Sequence, residues 1–193
     1  MNPKRLICAI SLGFCVATII PLSAQTFQLT VDESNPAAVV IQSTGQFAQN
    51  ADAVTLDSTG ISLLSFFTSP GLFTVAPTSS TLQAPTGRAY SLLNGDDTNP
   101  LTQNLRIANS AIPGQAQGFS TSLAAFQGSL LVDFSSQTSR LPAVGTTGQI
   151  IASWSGSPGV VLGQWVVVPE PETYGLAVGA SLVAFALWRR RER

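Results

Sequence analysis

The sequence predicts a mainly β protein, a single β-sandwich or jelly-roll-like domain, and three observations carry that expectation. Apolar and polar residues alternate with a period of two in several short stretches, as in strands with one buried face. Between those stretches lie clusters of Ser, Thr, Gly, Pro, Asn and Gln, notably 77–87, 109–122 and 135–149, which have the composition of turns and loops. Helical patterning is confined to the two ends, apart from the short stretch Leu123 to Phe126. Short strands separated by turn-rich segments favour a sandwich or jelly roll.

The first element is not part of that domain. Lys4 and Arg5 precede an apolar run from Leu6 to Ile20, a break at Pro21 and the small residues Ser23 and Ala24. Basic, apolar and small segments in this order read as a secretory signal peptide occupying 1–24. Cleavage after Ala24 makes Gln25 the mature N-terminus, although Leu22 is bulkier than such sites prefer. An uncleaved membrane anchor is the less favoured reading. Cys8 and Cys15 both lie in the apolar run, and Phe14 before Cys15 is too bulky for a lipoprotein cleavage site.

Once the signal is removed the chain has no cysteine, and the whole sequence has no histidine. Disulfides, thiolate nucleophiles and the usual zinc sites are therefore excluded. The mature domain also lacks lysine, which removes Schiff-base chemistry, and His-based triads go with the histidines. The residues from Gln25 to Val168 are enough to bury a core and amount to one domain. Their seven acids outnumber Arg88, Arg106 and Arg140, so a phosphate backbone is an unsuitable partner and nucleic acid is set aside.

Along the domain, Phe27, Leu29 and Val31 alternate with Gln28, Thr30 and Asp32, predicting a strand with the polar set outward. The same period appears at Val54 and Leu56, at Leu130, Val132 and Phe134, and at Ile150, Ala152 and Trp154. Asn94-Gly95 predicts a two-residue hairpin turn, because both residue types tolerate positive φ. The run Val160 to Val168 is apolar on both faces, with Val161, Trp165 and Val167 on one and Val160, Leu162, Val166 and Val168 on the other. Such a run predicts a central strand covered on two sides.

Immediately after that strand comes Val168-Pro169-Glu170-Pro171-Glu172-Thr173. Each proline fixes its own φ and pushes the residue before it toward an extended conformation, so this segment joins neither helix nor central strand. The uncharged stretch 174–188 follows, about 22 Å long as a helix against a hydrocarbon core of roughly 30 Å. Tyr174 and Trp188 are suited to the two interfaces, and Arg189, Arg190, Arg191 and Arg193 mark the cytoplasmic side while relieving the shortfall by snorkelling. The predicted intermediate is an inner-membrane protein with its domain outside. Gly175 and Gly179 form a Gly-x-x-x-Gly spacing suited to close helix approach, though small residues are frequent in membrane helices anyway.

With these residues in this order, positions 168–193 resemble the PEP-CTERM sorting signal of Gram-negative bacteria. The resemblance implies recognition of Val168, Pro169, Glu170 and Pro171 by an exosortase, a multi-pass membrane cysteine protease or transpeptidase, after export and signal-peptidase cleavage. It further implies removal of the helix, delivery to the cell surface or outside, and association with an exopolysaccharide or biofilm matrix. In this chain the motif residues are substrate positions, and the resemblance covers the tail alone.

For the domain itself three constellations come into view, and no cofactor is expected. Asn94-Gly95-Asp96-Asp97-Thr98-Asn99 offers oxygen ligands of the kind calcium takes, but it lacks the full loop spacing and a closing Glu, so a solvated hairpin is favoured. Paired carboxylates drawn from Asp52, Asp57, Asp96, Asp97 and Asp133 are the minimum for glycoside hydrolysis without histidine; solvated turn and edge aspartates are the favoured reading. Trp154, Trp165 and Tyr90 have rings able to stack on a sugar, although strand aromatics more often belong to the core. The sequence thus favours a non-enzymatic structural or adhesive protein, with a secreted polysaccharide-active hydrolase using paired aspartates as the alternative.

Overall fold

The computed structural model describes residues 26–169, except 54, 57, 96–102, 110–115 and 153–158. Among these residues ten strands occur: β1 Leu29–Asp32, β2 Val39–Ser43, β3 Ile61–Leu63, β4 Thr74–Val75, β5 Ser79–Ser80, β6 Leu92–Gly95, β7 Leu105–Ala108, β8 Ser129–Val132, β9 Thr147–Ala152 and β10 Val160–Val168. Two short 3-10 helices, Pro36–Ala38 and Ser135–Arg140, complete the regular structure. The signal segment 1–24, Gln25 and the whole of 170–193 lie outside the described residues. Within them, no helix is long and apolar enough to cross a membrane.

Mainly β structure is what the two-residue period predicts, and the strands form one curled sheet. Its order is β4-β6-β7-β3-β9-β10-β1-β2-β8-β5. The ladder runs through all ten without dividing into separate facing sheets. Its two ends are close in the chain: Thr74 and Val75 pair with Asn94 and Leu93, and Ser79 and Ser80 pair with Leu131 and Leu130. Three residues join β4 to β5 and reach at most about 14 Å from strand to strand. The sheet therefore curls until its edges nearly meet, which leaves little exposed edge for association with another chain.

Curling places the inward face of every strand against one core. Leu29, Val31, Val39, Ile41, Ile61, Leu63, Leu93, Leu105, Ile107, Leu130, Val132 and Ile150 are all buried there. At one end the core is aromatic. Phe66 lies 5.2 Å from Trp165 and 4.9 Å from Phe67, and Phe67, Phe73 and Phe134 meet edge to face at 5.2–6.0 Å. These T-shaped contacts place ring edges against ring faces, the arrangement favoured by the aromatic quadrupole.

The central position of β10 is confirmed: it pairs in parallel with β1 and antiparallel with β9. Its facing pattern differs from strict alternation. A bulge between Val161 and Gly163 shifts the register, so Leu162 joins Trp165 and Val167 among the buried residues while Val160, Val161, Val166 and Val168 are only half-buried. The bulge is filled from β1's side. The Gln28 amide Nε2 donates to the Phe47 carbonyl at 3.0 Å, and its Oε1 accepts from the Gln164 N–H at 2.7 Å. Gln28 is consequently 2% exposed, where alternation alone expects it outward.

Three further local expectations are corrected. Asn94 and Gly95 are not a hairpin turn but the end of β6, paired with Arg106 and Leu105 of β7. Leu123 to Phe126 is not helical; it is irregular chain tied by an isolated bridge from Ala124 to Phe47. Leu56 forms only an isolated bridge to Ala116 rather than a strand. In each case a long-range pairing overrode the local preference.

Candidate functional site

The junction between the domain and its tail is built by the end of β10. Val31 and Asp32 of β1 stand opposite Val167 and Val168, and on the other side Gly145 N–H donates to the Val167 carbonyl while Val167 N–H donates to Thr146, both at 2.9 Å. The strand is thus held on two sides up to Val167, and its pairing ends at Val168. Pro169, which has no N–H to continue a ladder, follows as irregular chain and is half-buried. Glu170, Pro171 and Arg189, Arg190, Arg191 and Arg193 lie outside the described residues, as do Ala24 and Gln25.

Among the described residues, Asp32 stands opposite Val168 across the ladder, and Glu33 follows it. Asp32 accepts from the Ser34 N–H and hydroxyl at 3.1 and 2.7 Å, closing the turn after β1. Glu33 Oε2 is buried with no hydrogen-bond partner. Burial, with a smaller contribution from the Asp32 charge, pushes the Glu33 carboxyl up to about 7. The side chain is only partly enclosed, so water screens part of this effect.

Of the aspartates considered for glycoside hydrolysis, the structure describes two, and both have structural partners. Asp52 is 6% exposed; its carboxylate accepts from the Thr55 N–H at 3.3 Å and from the Thr55 hydroxyl, and its backbone pairs with Phe119. Asp133 is exposed and accepts from the Ser135 N–H at 2.8 Å at the start of the second 3-10 helix. Hydrogen bonding by Ser135, side chain first and then backbone, holds the Asp133 carboxyl below its ordinary value. Asp57, Asp96 and Asp97 lie outside the described residues. So does the remainder of the calcium-type segment beyond Asn94 and Gly95, and those two residues belong to a strand instead of a binding loop.

The aromatic candidates are likewise redistributed. Trp165 is 0% exposed and Tyr90 is 1% exposed, so neither ring offers a face to a sugar. Tyr90 donates its hydroxyl to Gln117 Oε1 at 2.7 Å, as a buried phenol requires. Trp165 packs on Phe66, and its indole N–H is buried without a partner. Trp154 lies outside the described residues.

A recess that sequence reading did not identify opens where β4 meets the end of β6. Leu72, Phe73, Thr74, Asn94 and Gly95 line a cleft of about 290 Å³. Leu72 is 63% exposed at its rim, and Asn94 Oδ1 is buried with no partner. Gly95 has no side chain because a Cβ there would strike the Gly71 carbonyl and the Phe73 ring. Arg140 holds the segment before the cleft. Its Nε and Nη2 donate to the Ser69 carbonyl at 3.0 and 2.8 Å, its Nη2 also to Gly71 at 3.2 Å, and its guanidinium lies 4.6 Å from the Phe67 ring centre. The sequence clue was weak: an Asn in a strand otherwise read as a turn, four residues after a tyrosine of the core.

No family model matches the chain, and no curated protein or solved structure resembles it to a significant degree.

Proposed function

We propose that this protein is an exported, non-enzymatic surface or matrix component, a curled jelly-roll-like β-domain delivered through the sorting signal at its C-terminus. One observation supports this reading best: the ladder ends at Val168, at the residue before Pro169-Glu170-Pro171. Cutting the chain at or beyond the motif leaves every β1–β10 and β9–β10 pair intact. A membrane protease can therefore take the tail without unfolding its substrate. The processing partner is an exosortase-type enzyme acting after signal peptidase, and the destination is the cell surface or the exopolysaccharide around it.

A hydrolase receives less support, since Asp52 and Asp133 are engaged with Thr55 and Ser135. The experiment is the intact mass of the protein from native cells, membrane fraction against extracellular fraction. A released form starting at Gln25 and ending between Pro169 and Glu172 supports sorting. A membrane form retaining Arg189 to Arg193, with nothing released, makes the tail a permanent anchor and overturns the proposal.

A further inference from the structure

We propose that, while the tail is still attached, the end of the domain from which it leaves rests on a zwitterionic lipid surface, with Val144 and Leu72 as the apolar contacts. The proposal rests on the sorting reading for the membrane itself; the choice of face stands on the fold. β1, β8 and β10 finish at this end and β2 and β9 begin there, because Asp32 stands opposite Val168 and Val40, Val132 opposite Val39 and Thr147 opposite Val166. The β8–β9 connection therefore lies beside the tail. Its Gly145 N–H donates to the Val167 carbonyl at 2.9 Å, which seats Val144 next to the strand that carries the tail. Arg140, in the same connection, brings in the segment before β4: its Nη2 donates to the Gly71 carbonyl at 3.2 Å, and its own carbonyl accepts from the Thr68 N–H at 2.9 Å.

Val144 is 59% exposed and Leu72 63% exposed. Single exposed aliphatics are ordinary, but the segments carrying these two are also uncharged: no ionisable side chain occurs from Leu141 to Pro169 or from Ser58 to Gly87. Such loops can enter a headgroup layer without carrying a charge toward the hydrocarbon. The tether supplies the proximity. Five residues lead from Pro169 to Tyr174, where the uncharged stretch begins, and they reach at most about 18 Å. Tethered this closely, the domain meets the surface at an effective concentration on the order of millimolar, so a contact of two side chains is enough.

Charge selects the lipid. Asp32, Glu33 and Asp133 belong to the connections at the same end, and the β6–β7 connection adds Asp96 and Asp97 by sequence. An anionic leaflet would repel them, whereas a zwitterionic one does not.

The test uses the chain purified from membranes of cells that export it without a sorting enzyme, so that the tail is retained, and reconstituted in phosphatidylcholine nanodiscs carrying a headgroup-nitroxide lipid. Amide intensities are compared with the nitroxide oxidised and reduced. The proposal expects Leu72 and Val144 to lose most of their intensity, and Phe47 and Leu123 to keep theirs; these are exposed apolar residues joined by the bridge from Phe47 to Ala124, beyond the opposite end of β2. Leu72→Ser combined with Val144→Ser, two changes outside the core, is expected to restore most of the signal at Gly71 and Gly145. Broadening that survives both substitutions would assign the proximity to the tether alone, and equal broadening at both ends, or none, would show that no face is chosen. Each of these overturns docking while sorting stands. A chain that does not stay with the discs overturns the membrane reading of the tail and this proposal together. Greater broadening in phosphatidylglycerol discs would overturn the zwitterionic assignment.

Discussion

Glu33 and Trp165 each bury a polar atom without a partner, as Ser80 and Asn94 do. For Glu33 the folded-state value is raised from 4.5 to about 7, so the folded protein favours the protonated acid. Below the unfolded value both states are protonated and the site costs nothing; as pH climbs from about 4.5 through 7, the unfolded chain ionises more readily and stability falls. Glu33→Gln is therefore expected to raise the melting temperature at pH 8 and to leave it nearly unchanged at pH 4. Equal shifts at both pH values in thermal melts would show that Glu33 does not titrate abnormally. Trp165 packs at the edge of the aromatic cluster, against Phe66, and its indole N–H is buried there without a partner. Truncation by Trp165→Ala is expected to cost about 3–5 kcal/mol in urea unfolding. Sequence showed Trp165 as a strand residue, but only the fold told the core reading from the sugar-stacking one, since an indole looks the same in either role.

At the scale of elements, the bulge in β10 explains both a glycine and a glutamine. Gly163 has no room for a side chain because a Cβ there would overlap the Gln28 amide. Gly163→Ala is accordingly expected to displace Gln28 from its bonds to Phe47 and Gln164, costing about 1–3 kcal/mol as overpacking does. A urea midpoint equal to that of the natural chain would refute the assigned role of Gln28. The register of β10 was not legible in its composition, because Val-Val-Leu-Gly-Gln-Trp reads as two apolar faces until the extra residue is placed. Asn94-Gly95 shows the same limit in the opposite direction. Its local preference is for a turn, yet pairing with Arg106 and Leu105 extends the strand through it. β1, β8 and β9 were readable because one face of each is buried and the other is not, and burial is what writes a two-residue period into a sequence.

For the whole molecule, the parallel pairing of β1 with β10 fixes where the ends lie. Leu29 stands beside Trp165 and Asp32 beside Val168, so the chain enters at the end of the sheet opposite to the one from which the tail leaves. Under the proposed sorting, the start of β1 would lie at the end of the sheet away from the membrane. Because the ladder ends at Val168, a chain stopped after Pro169 is expected to melt within a few degrees of the full chain. A chain stopped after Gly163 loses all of β10's pairs with β1 and is expected not to fold. Circular dichroism melts of the two truncations test the claim, and an unfolded product from the first would show that the tail supports the domain.

The sequence by itself determined the strand content, the lack of histidine throughout and of cysteine after Cys15, and the order of basic, apolar and proline-bearing segments that suggests export and sorting. These are properties of composition and short periods, which need no knowledge of distant partners. Only the tertiary structure decided that the strands form one curled sheet, that Trp165 and Tyr90 are core residues, that Asp52 and Asp133 accept from Thr55 and Ser135, and that Asn94 belongs to a strand. Each of these depends on which residues far apart in the chain come together, and the physical cause is the same throughout: burial and hydrogen-bond satisfaction are settled between strands, whereas a sequence records directly only what happens along one.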